Sequence, residues 1–452
     1  MATTTTATQI VDVLGIGFGP SNLALAIALA EDAGNPDGPR AVFLERQPAF
    51  GWHRGMLIED ARMQVSFLKD LATLRNPWSR YSFLSYLHDR GRMSEFINTQ
   101  NFFPTRLEFH DYLEWAAAGV AERVRYGTEV RGVRPVGTGA AARWEVHAAT
   151  PDGEARYLAR DVVVGTGLAP HLPPGVDLDD RVWHNCDLVH RVRALAGTRP
   201  RRFVVVGAGQ SAAESVDYLH RSFPSAEVCS VFARYGFSPA DDSPFANRIF
   251  DPRGVDDYFD APQPTKDRLM ADHRNTNYSV VDPELIRSLH DRHYAERVEG
   301  RERLRFRNVS AVTALHRGDD GVRVVVRSDL DGQETALAAD AVVFATGYRS
   351  GDPARFFGSG PRWRRDALGR LAISRDYRLL DEDALPDAPR RVFVHGATEH
   401  THGIGSSLLS NVAVRAGEIA RALVEGHRAQ AARDLDELVT VPEGPARNGR
   451  AR

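Results

Sequence analysis

Short apolar runs, each ending near a glycine, recur along the chain and predict its framework. A run of mainly apolar residues bounded by turn residues is typical of a strand buried on both faces. Such runs occupy positions 10–14, 202–206 and 341–344. The first two lead through a glycine-rich turn into a helical pattern, which covers 21–31 in one case and reaches about Leu219 in the other. Two units of strand, glycine turn and helix predict an α/β protein with two dinucleotide-binding domains.

The first glycine turn has the residues that a bound dinucleotide requires. Gly15 and Gly17 occupy the first two glycine positions, where the backbone can turn tightly and a pyrophosphate can approach a helix N-terminus. Pro20 opens the helix, where its missing N–H leaves no partner unsatisfied. The next strand, 41–44, ends at Glu45, whose carboxylate can accept hydrogen bonds from a ribose and favours the adenosine of FAD. A glycine-rich turn with a surface glutamate is the alternative, and the order of strand, turn, helix and acid disfavours it.

The second glycine turn is placed in the same way but is followed by a different residue. Its next strand, 227–232, ends without an acid, and Arg234 follows it closely. A guanidinium at this point favours a nucleotide with a 2′-phosphate, and therefore NADPH over NADH. An arginine of no special role is the alternative. The residues predicted to contact NADPH here are Gly207, Gly209, Gln210, Ser211 and Arg234.

The third apolar strand, 341–344, completes the predicted division into domains. It ends at Ala345-Thr346-Gly347, and the stretch 161–167 ends in a similar Thr-Gly pair. Both are expected where backbone passes close to a ligand. We therefore predict a Rossmann-like FAD-binding domain built from 1–195 and 341–427, and a Rossmann-like NADPH-binding domain at 196–340. A smaller irregular or helical substrate-binding insertion is predicted at about 236–285, and a disordered tail at 428–452.

Composition excludes several classes of protein. The net charge of −3 gives no basic surface for nucleic acid or an anionic membrane. Cys186 and Cys229 form no Cys-x-x-Cys pair, which excludes a dithiol redox centre and fits a reducing compartment. The N-terminus lacks the pattern of a signal peptide, and the longest apolar helical stretch, 23–30, is too short to span a bilayer. We therefore expect a soluble cytoplasmic protein with no nucleic-acid or membrane partner.

Lysine is almost absent from the chain, which draws attention to the two lysines that remain. Of 57 basic residues only Lys69 and Lys266 are lysine, which leaves 55 arginines. A compact ammonium on a flexible stem can enter a narrow pocket and meet a carboxylate where a planar guanidinium would clash. Lys69 lies among Phe67, Leu68 and Leu71, and we predict a functional role for it. Lys266 is interpreted as a surface lysine.

Motifs spread over nearly the whole chain, apart from its two ends, point to one family. They are Trp52-His53, 63–71, Asn98 with 103–106, 241–247, 275–282, 399–403 and 408–410. In this order they resemble the flavin-dependent N-hydroxylating monooxygenases, specifically the ornithine N-monooxygenases of siderophore and related nonribosomal peptide pathways. The resemblance implies that NADPH reduces FAD, and that O₂ then forms a flavin C(4a)-hydroperoxide. It also implies that the neutral δ-amine of L-ornithine attacks this oxygen, and that the protein is a homotetramer.

The resemblance also implies roles for particular residues, with no metal and no covalent nucleophile. Lys69 and Asn247 would bind the α-carboxylate of the amino acid. Asn277 would present its backbone carbonyl to the α-amine and its side chain to the nicotinamide nucleotide, and Ser410 would complete the substrate site. The further residues implied to contact FAD are Trp52, His53, Gln64, Ser407, Leu408 and Leu409, with Gln64 helping to hold the oxygenated flavin.

Several alternatives stay open on the sequence alone. L-Lysine is the nearest rival substrate, since one methylene is worth only about 1–3 kcal/mol of discrimination. A Baeyer–Villiger monooxygenase is disfavoured by Lys69 and Asn247, and a flavin-binding NADPH oxidase by the complete set of substrate residues. The arginine that binds the 2′-phosphate in the family aligns with Ala233 rather than Arg234, which leaves the strictness of NADPH over NADH open.

Two further clusters of polar residues have simpler interpretations than catalysis. His400 and His402 could suggest a metal, but no third ligand stands at a usual spacing. We therefore expect them in a loop beside the flavin. Asp241 and Asp242 could form an acid and base pair, yet adjacent acids in a loop of this kind more often cap a helix or face solvent.

Overall fold

The computed structural model describes residues 8–32, 38–273, 279–383 and 390–439, and describes side chains as far as Arg433. The strands are β1 (Gln9–Ile16), β2 (Ala41–Leu44), β3 (Val124–Arg125), β4 (Glu129–Val136), β5 (Arg143–Thr150), β6 (Gly153–Val164), β7 (Leu168–Pro170), β8 (Val182–His184), β9 (Arg202–Val206), β10 (Glu227–Val231), β11 (Leu304–Arg307), β12 (Ser310–Gly318), β13 (Gly321–Ser328), β14 (Glu334–Ala339), β15 (Ala341–Phe344), β16 (Tyr348–Ser350) and β17 (Arg391–Val394). The α-helices are α1 (Pro20–Asp32), α2 (Phe83–Asp89), α3 (Met93–Asn98), α4 (Arg106–Ala118), α5 (Leu188–Ala194), α6 (Gln210–Ser222), α7 (Pro252–Asp260), α8 (Gln263–Asp272), α9 (Pro283–Glu299), α10 (Glu399–His402) and α11 (Val412–Val439).

The first sheet has the strand order β3-β2-β1-β6-β5-β4, and β17 also pairs with β6. Its centre is parallel, since β1 runs parallel to β2 and β6, while β4, β5 and β6 pair antiparallel. Helices α1, α4 and α11 bury their apolar faces against one side of this sheet. Because α11 packs on α1, the two ends of the chain share one core.

The second sheet is parallel throughout, in the order β11-β10-β9-β15-β8. A three-stranded antiparallel sheet, β12-β13-β14, covers one of its faces, and helices α5, α6 and α9 contribute to the core on the other. The chain passes between the two large sheets twice, through β7 and β16, which pair with each other antiparallel. The two glycine turns follow β1 and β9, so each lies at the carboxyl edge of its own sheet.

The predicted strands agree with the structure more closely than the predicted domain boundaries. Strands β9 and β15 match their predicted ranges, and β1 and α1 extend slightly beyond theirs. Strands β8 and β15 belong to the second sheet, although the predicted boundaries at 195/196 and 340/341 assigned both to the first domain. These boundaries are therefore wrong. The chain changes sheets at β7 and β16, because β8 and β15 find their partners beside β9.

Helices are found in two segments whose sequence pattern is irregular. The insertion at 236–285 contains α7, α8 and a 3₁₀ helix, Ala246–Phe250. The predicted disordered tail is wrong for residues 428–439, which continue α11. Alanine, arginine and glutamine favour helix in this stretch, and Gln430 is buried. Residues 440–452 lie outside the described residues.

Candidate functional site

The first glycine turn is too tight for side chains at its two predicted positions. A Cβ on Gly15 would lie 2.1 Å from the ring of Phe43. Gly17 has φ +85°, and a Cβ there would lie 2.7 Å from the carbonyl oxygen of Gly165. Pro20 is the first residue of α1, so the turn leads straight into a helix N-terminus. This geometry leaves the backbone open to a close-lying pyrophosphate.

Glu45 lies at the end of β2, buried beside this turn. Its Oε2 accepts a 2.7 Å hydrogen bond from the backbone N–H of Phe18, and its Oε1 accepts one of 2.9 Å from that of Gln47. A carboxylate offers about four acceptor positions, so two backbone bonds leave capacity for ribose hydroxyls. The Glu45 carboxylate thus stabilises the turn and can still accept the predicted hydrogen bond from a ribose.

His53 lies between Trp52 of the first domain and Tyr348 of β16. Its backbone is left-handed, with φ 49°, and its ring centroid lies 4.6 Å from that of Trp52 and 6.0 Å from that of Tyr348. The surrounding protein, followed by the charge of Arg106, lowers the pKa of His53 to about 4. His53 is therefore neutral at neutral pH and can offer one donor and one acceptor.

Lys69 is placed by a rigid loop. Its backbone N–H donates to Ser66 O at 2.9 Å, and the adjacent Leu71 N–H donates to the Tyr112 hydroxyl at 3.1 Å. The Lys69 side chain is half-buried and makes no hydrogen bond or ion pair with any residue that the structure describes. Gln64, on the same loop, is exposed. The loop thus presents an ammonium that is available for an anion.

Asp70, which sequence reasoning missed, organises this loop. Its carboxylate is buried and accepts from the backbone N–H groups of Ala72, Thr73 and Phe83 at 2.9, 2.6 and 2.7 Å. Burial raises the pKa of Asp70, and these hydrogen bonds oppose that rise. An acid next to a candidate lysine was a usable sequence signal, because buried carboxylates need several donors.

Asn247 and Ser410 lie on two short 3₁₀ helices, Ala246–Phe250 and Leu409–Asn411. The first packs against a third short helix, Ile404–Ser407, which precedes Ser410 directly in sequence. The Asn247 side-chain N–H donates to Asp242 O at 2.7 Å, and Ser410 is buried. Asn277 lies outside the described residues. Asn247 and Ser410 are thus carried by neighbouring segments.

One of the three predicted flavin residues after position 400, Leu409, packs against the first-domain core. Leu409 packs against the same apolar cluster as Trp52 and Phe67. The Ser407 hydroxyl donates to the Glu399 carboxylate, and Leu408 is half-buried. Trp52 and Leu409, which lie far apart in sequence, therefore pack against one core.

The second glycine turn repeats the tight geometry of the first. Gly207 has φ +142°, and a Cβ there would lie 2.3 Å from Ala345 O. Gly209 precedes α6, and a Cβ on it would lie 3.3 Å from the Cα of Ser279. Arg234 Nη1 donates to Ser279 O at 2.8 Å. Its guanidinium therefore braces the segment that passes over the turn, and Ala233 beside it is exposed.

Gln210 and Ser211 begin α6 directly after this turn. The Gln210 side chain accepts from Asp282 N–H at 2.8 Å and donates to Glu214 Oε1 at 3.0 Å. Ser211 is half-buried, and its carbonyl accepts from the Ser215 hydroxyl at 2.6 Å. The side chain of Gln210 thus connects the start of α6 to the segment at Asp282.

An ion pair between Arg106 and Glu214 joins the two domains, and sequence reasoning missed it. The guanidinium donates to both carboxylate oxygens, at 2.8 and 3.1 Å, and also to Met56 O at 2.9 Å. Arg106 opens α4 of the first domain, and Glu214 lies one turn into α6 of the second. No local pattern links two residues so far apart in sequence, although Arg106 did stand within a recognised motif.

The histidines near position 400 serve as structural donors and acceptors. A His400 ring nitrogen lies 2.7 Å from Leu371 O, and the His402 ring stacks on that of Tyr377 at 4.1 Å. Within the ranges that the structure describes, no three His, Cys, Asp or Glu side chains are grouped as a metal site. Asp241 is exposed and accepts from Ser243 N–H at 3.1 Å, as expected of a loop acid.

Together these features define a two-domain protein with a dinucleotide-type glycine turn at the edge of each sheet. A thioredoxin reductase of T. acidophilum, 14% identical with a TM-score of 0.54, shares this fold over 92% of the present chain and 98% of its own. A family model described as L-lysine 6-monooxygenase/L-ornithine 5-monooxygenase matches residues 9–350. The chain belongs to this family.

Individual relatives are similar over nearly their full length. The L-ornithine N(5)-monooxygenase of Burkholderia cepacia is 41% identical over 401 residues, which is 87% of this chain and 89% of the relative. That of Pseudomonas aeruginosa is 36% identical, over 94% of this chain and 96% of its own. A solved structure of the ornithine N-hydroxylase of Kutzneria sp. 744 is 46% identical, with a TM-score of 0.87 and coverage of 92% and 99%.

None of the helices built from the described residues is both long enough and apolar enough to cross a bilayer.

Proposed function

We propose that this chain is an FAD- and NADPH-dependent monooxygenase that hydroxylates the side-chain δ-amine of L-ornithine for a siderophore or a related nonribosomal peptide. The Burkholderia and Pseudomonas relatives are named L-ornithine N(5)-monooxygenases, and the Kutzneria enzyme was solved with reduced FAD, NADP⁺ and L-ornithine. The observation that carries the proposal within this chain is the Lys69 ammonium, which has no partner among the described residues and stands on a hydrogen-bonded loop of the first domain.

The two glycine turns fit the two nucleotides. Gly15 and Gly17 leave room for a pyrophosphate, and Glu45 retains acceptor capacity for the FAD ribose. Gly207 and Gly209 offer the same arrangement for NADPH. FAD bound here and reduced by NADPH would activate O₂, so that one oxygen atom passes to the amine nitrogen and the other leaves as water.

The protein's own contribution is to position the amino acid and to exclude water. Lys69 pairs with the α-carboxylate. The side-chain amide of Asn247 and the hydroxyl of Ser410 provide further contacts to the amino-acid group of the substrate. Fixing the head at several points places the δ-amine at one distance from the flavin, which replaces a random encounter by an oriented one. The apolar side chains of Trp52 and Leu409 keep the site dry, which suits a neutral amine and a reactive oxygen species.

The reaction is tested by measuring NADPH consumption together with hydroxylated product, for L-ornithine, L-lysine and no amino acid. We expect stoichiometric hydroxylamine with L-ornithine. One additional methylene changes binding by about 1–3 kcal/mol, so L-lysine is expected to be poorer by roughly 10- to 200-fold. NADPH consumption that yields only hydrogen peroxide under all three conditions would contradict the proposal and favour an oxidase.

We also propose that the protein is a cytoplasmic homotetramer. Several large apolar side chains of the first domain are exposed, with Trp78 92% and Ile97 63% accessible, and their burial between subunits would favour association. Both cysteines are free, as expected in a reducing compartment. Sedimentation equilibrium measures the subunit number, and a monomer at micromolar concentration would contradict this part of the proposal.

A further inference from the structure

Lys266 is anchored between two helices and is not the surface lysine that the sequence indicated. It lies in the first turn of α8, half-buried, and its ammonium points back to α7. Its Nζ donates a 2.8 Å hydrogen bond to Phe259 O and lies 5.8 and 5.6 Å from the ring centroids of Tyr258 and Phe259. The surrounding protein, followed by Arg370, lowers the pKa of Lys266, and Asp260 opposes this.

The contacts of this ammonium explain why a lysine stands here in an arginine-rich chain. The Phe259 carbonyl is one of the last in α7, where helix carbonyls lack partners and the helix dipole favours a cation. Ammonium ions within about 6 Å of an aromatic centroid are attracted by the ring. The compact ammonium contacts one carbonyl and lies near two rings at once, whereas a guanidinium spreads its donors over a broad plane.

The two aromatic residues near the Lys266 ammonium, Tyr258 and Phe259, contact residues 402–403, which precede the predicted substrate site. Tyr258 is buried, and a Cβ on Gly403 would lie only 3.2 Å from its ring. The Phe259 ring centroid lies 5.2 Å from that of His402. Helix α7 therefore fixes the turn at 402–403, from which the chain runs through Ile404–Ser407 to Ser410.

Helix α7 also contacts the other side of the predicted amino-acid pocket. It packs against the 3₁₀ helix Ala246–Phe250, which carries Asn247, and that helix packs in turn on Ile404–Ser407. We propose that Lys266 is a positioning residue, which locks α7 between the segments of Asn247 and Ser410 and thereby sets the width of the amino-acid pocket. This inference rests on the proposed hydroxylation of L-ornithine.

The test compares Lys266→Met with Arg268→Met in the full-length protein loaded with FAD. Methionine keeps an unbranched stem but removes the ammonium. Arg268 is exposed on the same helix, so its replacement removes the same charge without the contacts. For Lys266→Met we expect the KM for L-ornithine to rise about tenfold, and hydroxylated product per NADPH to fall, because a charge-assisted hydrogen bond and two ring contacts are lost. FAD content and the KM for NADPH are expected to match those of Arg268→Met.

Two outcomes would overturn the proposal. Equal KM values and equal coupling in the two variants would overturn it. If Lys266→Met does not retain FAD, Lys266→Gln, which can still donate to the Phe259 carbonyl, takes its place. Loss of FAD from both Lys266→Met and Lys266→Gln would also overturn the proposal, because the lysine would then support the fold as a whole. The unmodified protein distinguishes failure of this proposal from failure of the proposed function. If the unmodified protein forms peroxide but no hydroxylated L-ornithine, the proposed function itself is refuted.

Discussion

The ion pair between Arg106 and Glu214 joins the two domains, and the change Glu214→Gln tests its contribution. Glutamine keeps the size of the side chain and one acceptor oxygen but removes the negative charge. The Arg106 guanidinium would then keep only the Met56 carbonyl and a neutral amide as partners. The two side chains are 13% and 7% exposed, so neither charge is well solvated. Breaking a buried pair in this way costs about 3–5 kcal/mol, and the remaining amide bond favours the lower end, about 3 kcal/mol.

The free energy of unfolding is measured by urea denaturation at pH 7, with tryptophan fluorescence and flavin release as separate probes. Asp383→Asn is the matched control, because it breaks the Arg362–Asp383 pair, whose side chains are 68% and 61% exposed. Such exposed pairs contribute about 0–1 kcal/mol. Adding Arg106→Gln to Glu214→Gln should restore part of the loss, since no unpaired charge remains. A cost for Glu214→Gln no larger than that of the control would refute this reasoning.

Three further predictions follow from the site. Lys69→Ala should raise the KM for L-ornithine by about a hundredfold, because one charge-assisted contact is lost, while flavin reduction by NADPH stays near the unmodified rate. Loss of bound flavin would instead show that the lysine is structural. Gly17→Ala should lose FAD, measured by flavin absorbance per protein, because its Cβ would lie 2.7 Å from Gly165 O, whereas Gly19→Ala, which meets no atom within 4 Å, should retain it. Burial lowers the pKa of His402 to about 3, below its unfolded value of 6.5, so its stabilising effect is complete above pH 6.5 and is lost as the pH falls toward 3. His402→Gln should therefore lose less stability between pH 7 and pH 5 in urea unfolding, and an unchanged loss would contradict this.

Local sequence patterns were sufficient for the features that depend on neighbouring residues. Gly17 and Gly207 were predicted correctly as turn glycines, because a strand, a glycine turn and a helix follow each other directly in the sequence. The predicted class of two dinucleotide-binding domains is confirmed by the solved relatives. The assignment of L-ornithine came from a resemblance, since no physical count of residues distinguishes two substrates that differ by one methylene.

Features that depend on distant parts of the chain could not be predicted in the same way. The domain boundaries were wrong because β15 pairs with β9, a parallel contact between strands far apart in sequence. The contacts of Lys266 with Tyr258 and Phe259 form only when α7 and α8 pack against each other, and no periodic pattern in the sequence predicts that packing. The roles of Asn277 and of the other predicted contact residues stay predictions until a ligand-bound structure or variants test them.

The first sheet is assembled from both ends of the chain, and this has a consequence for its synthesis. Strand β17 pairs with β6, and α11 packs on α1, so the core of the first domain lacks two of its parts until these late segments have emerged from the ribosome. The second sheet, β8 to β15, is contiguous in sequence and is complete earlier. We therefore expect the second domain to complete its sheet during translation before the first domain, whose flavin site is complete only once β17 and α11 have been made.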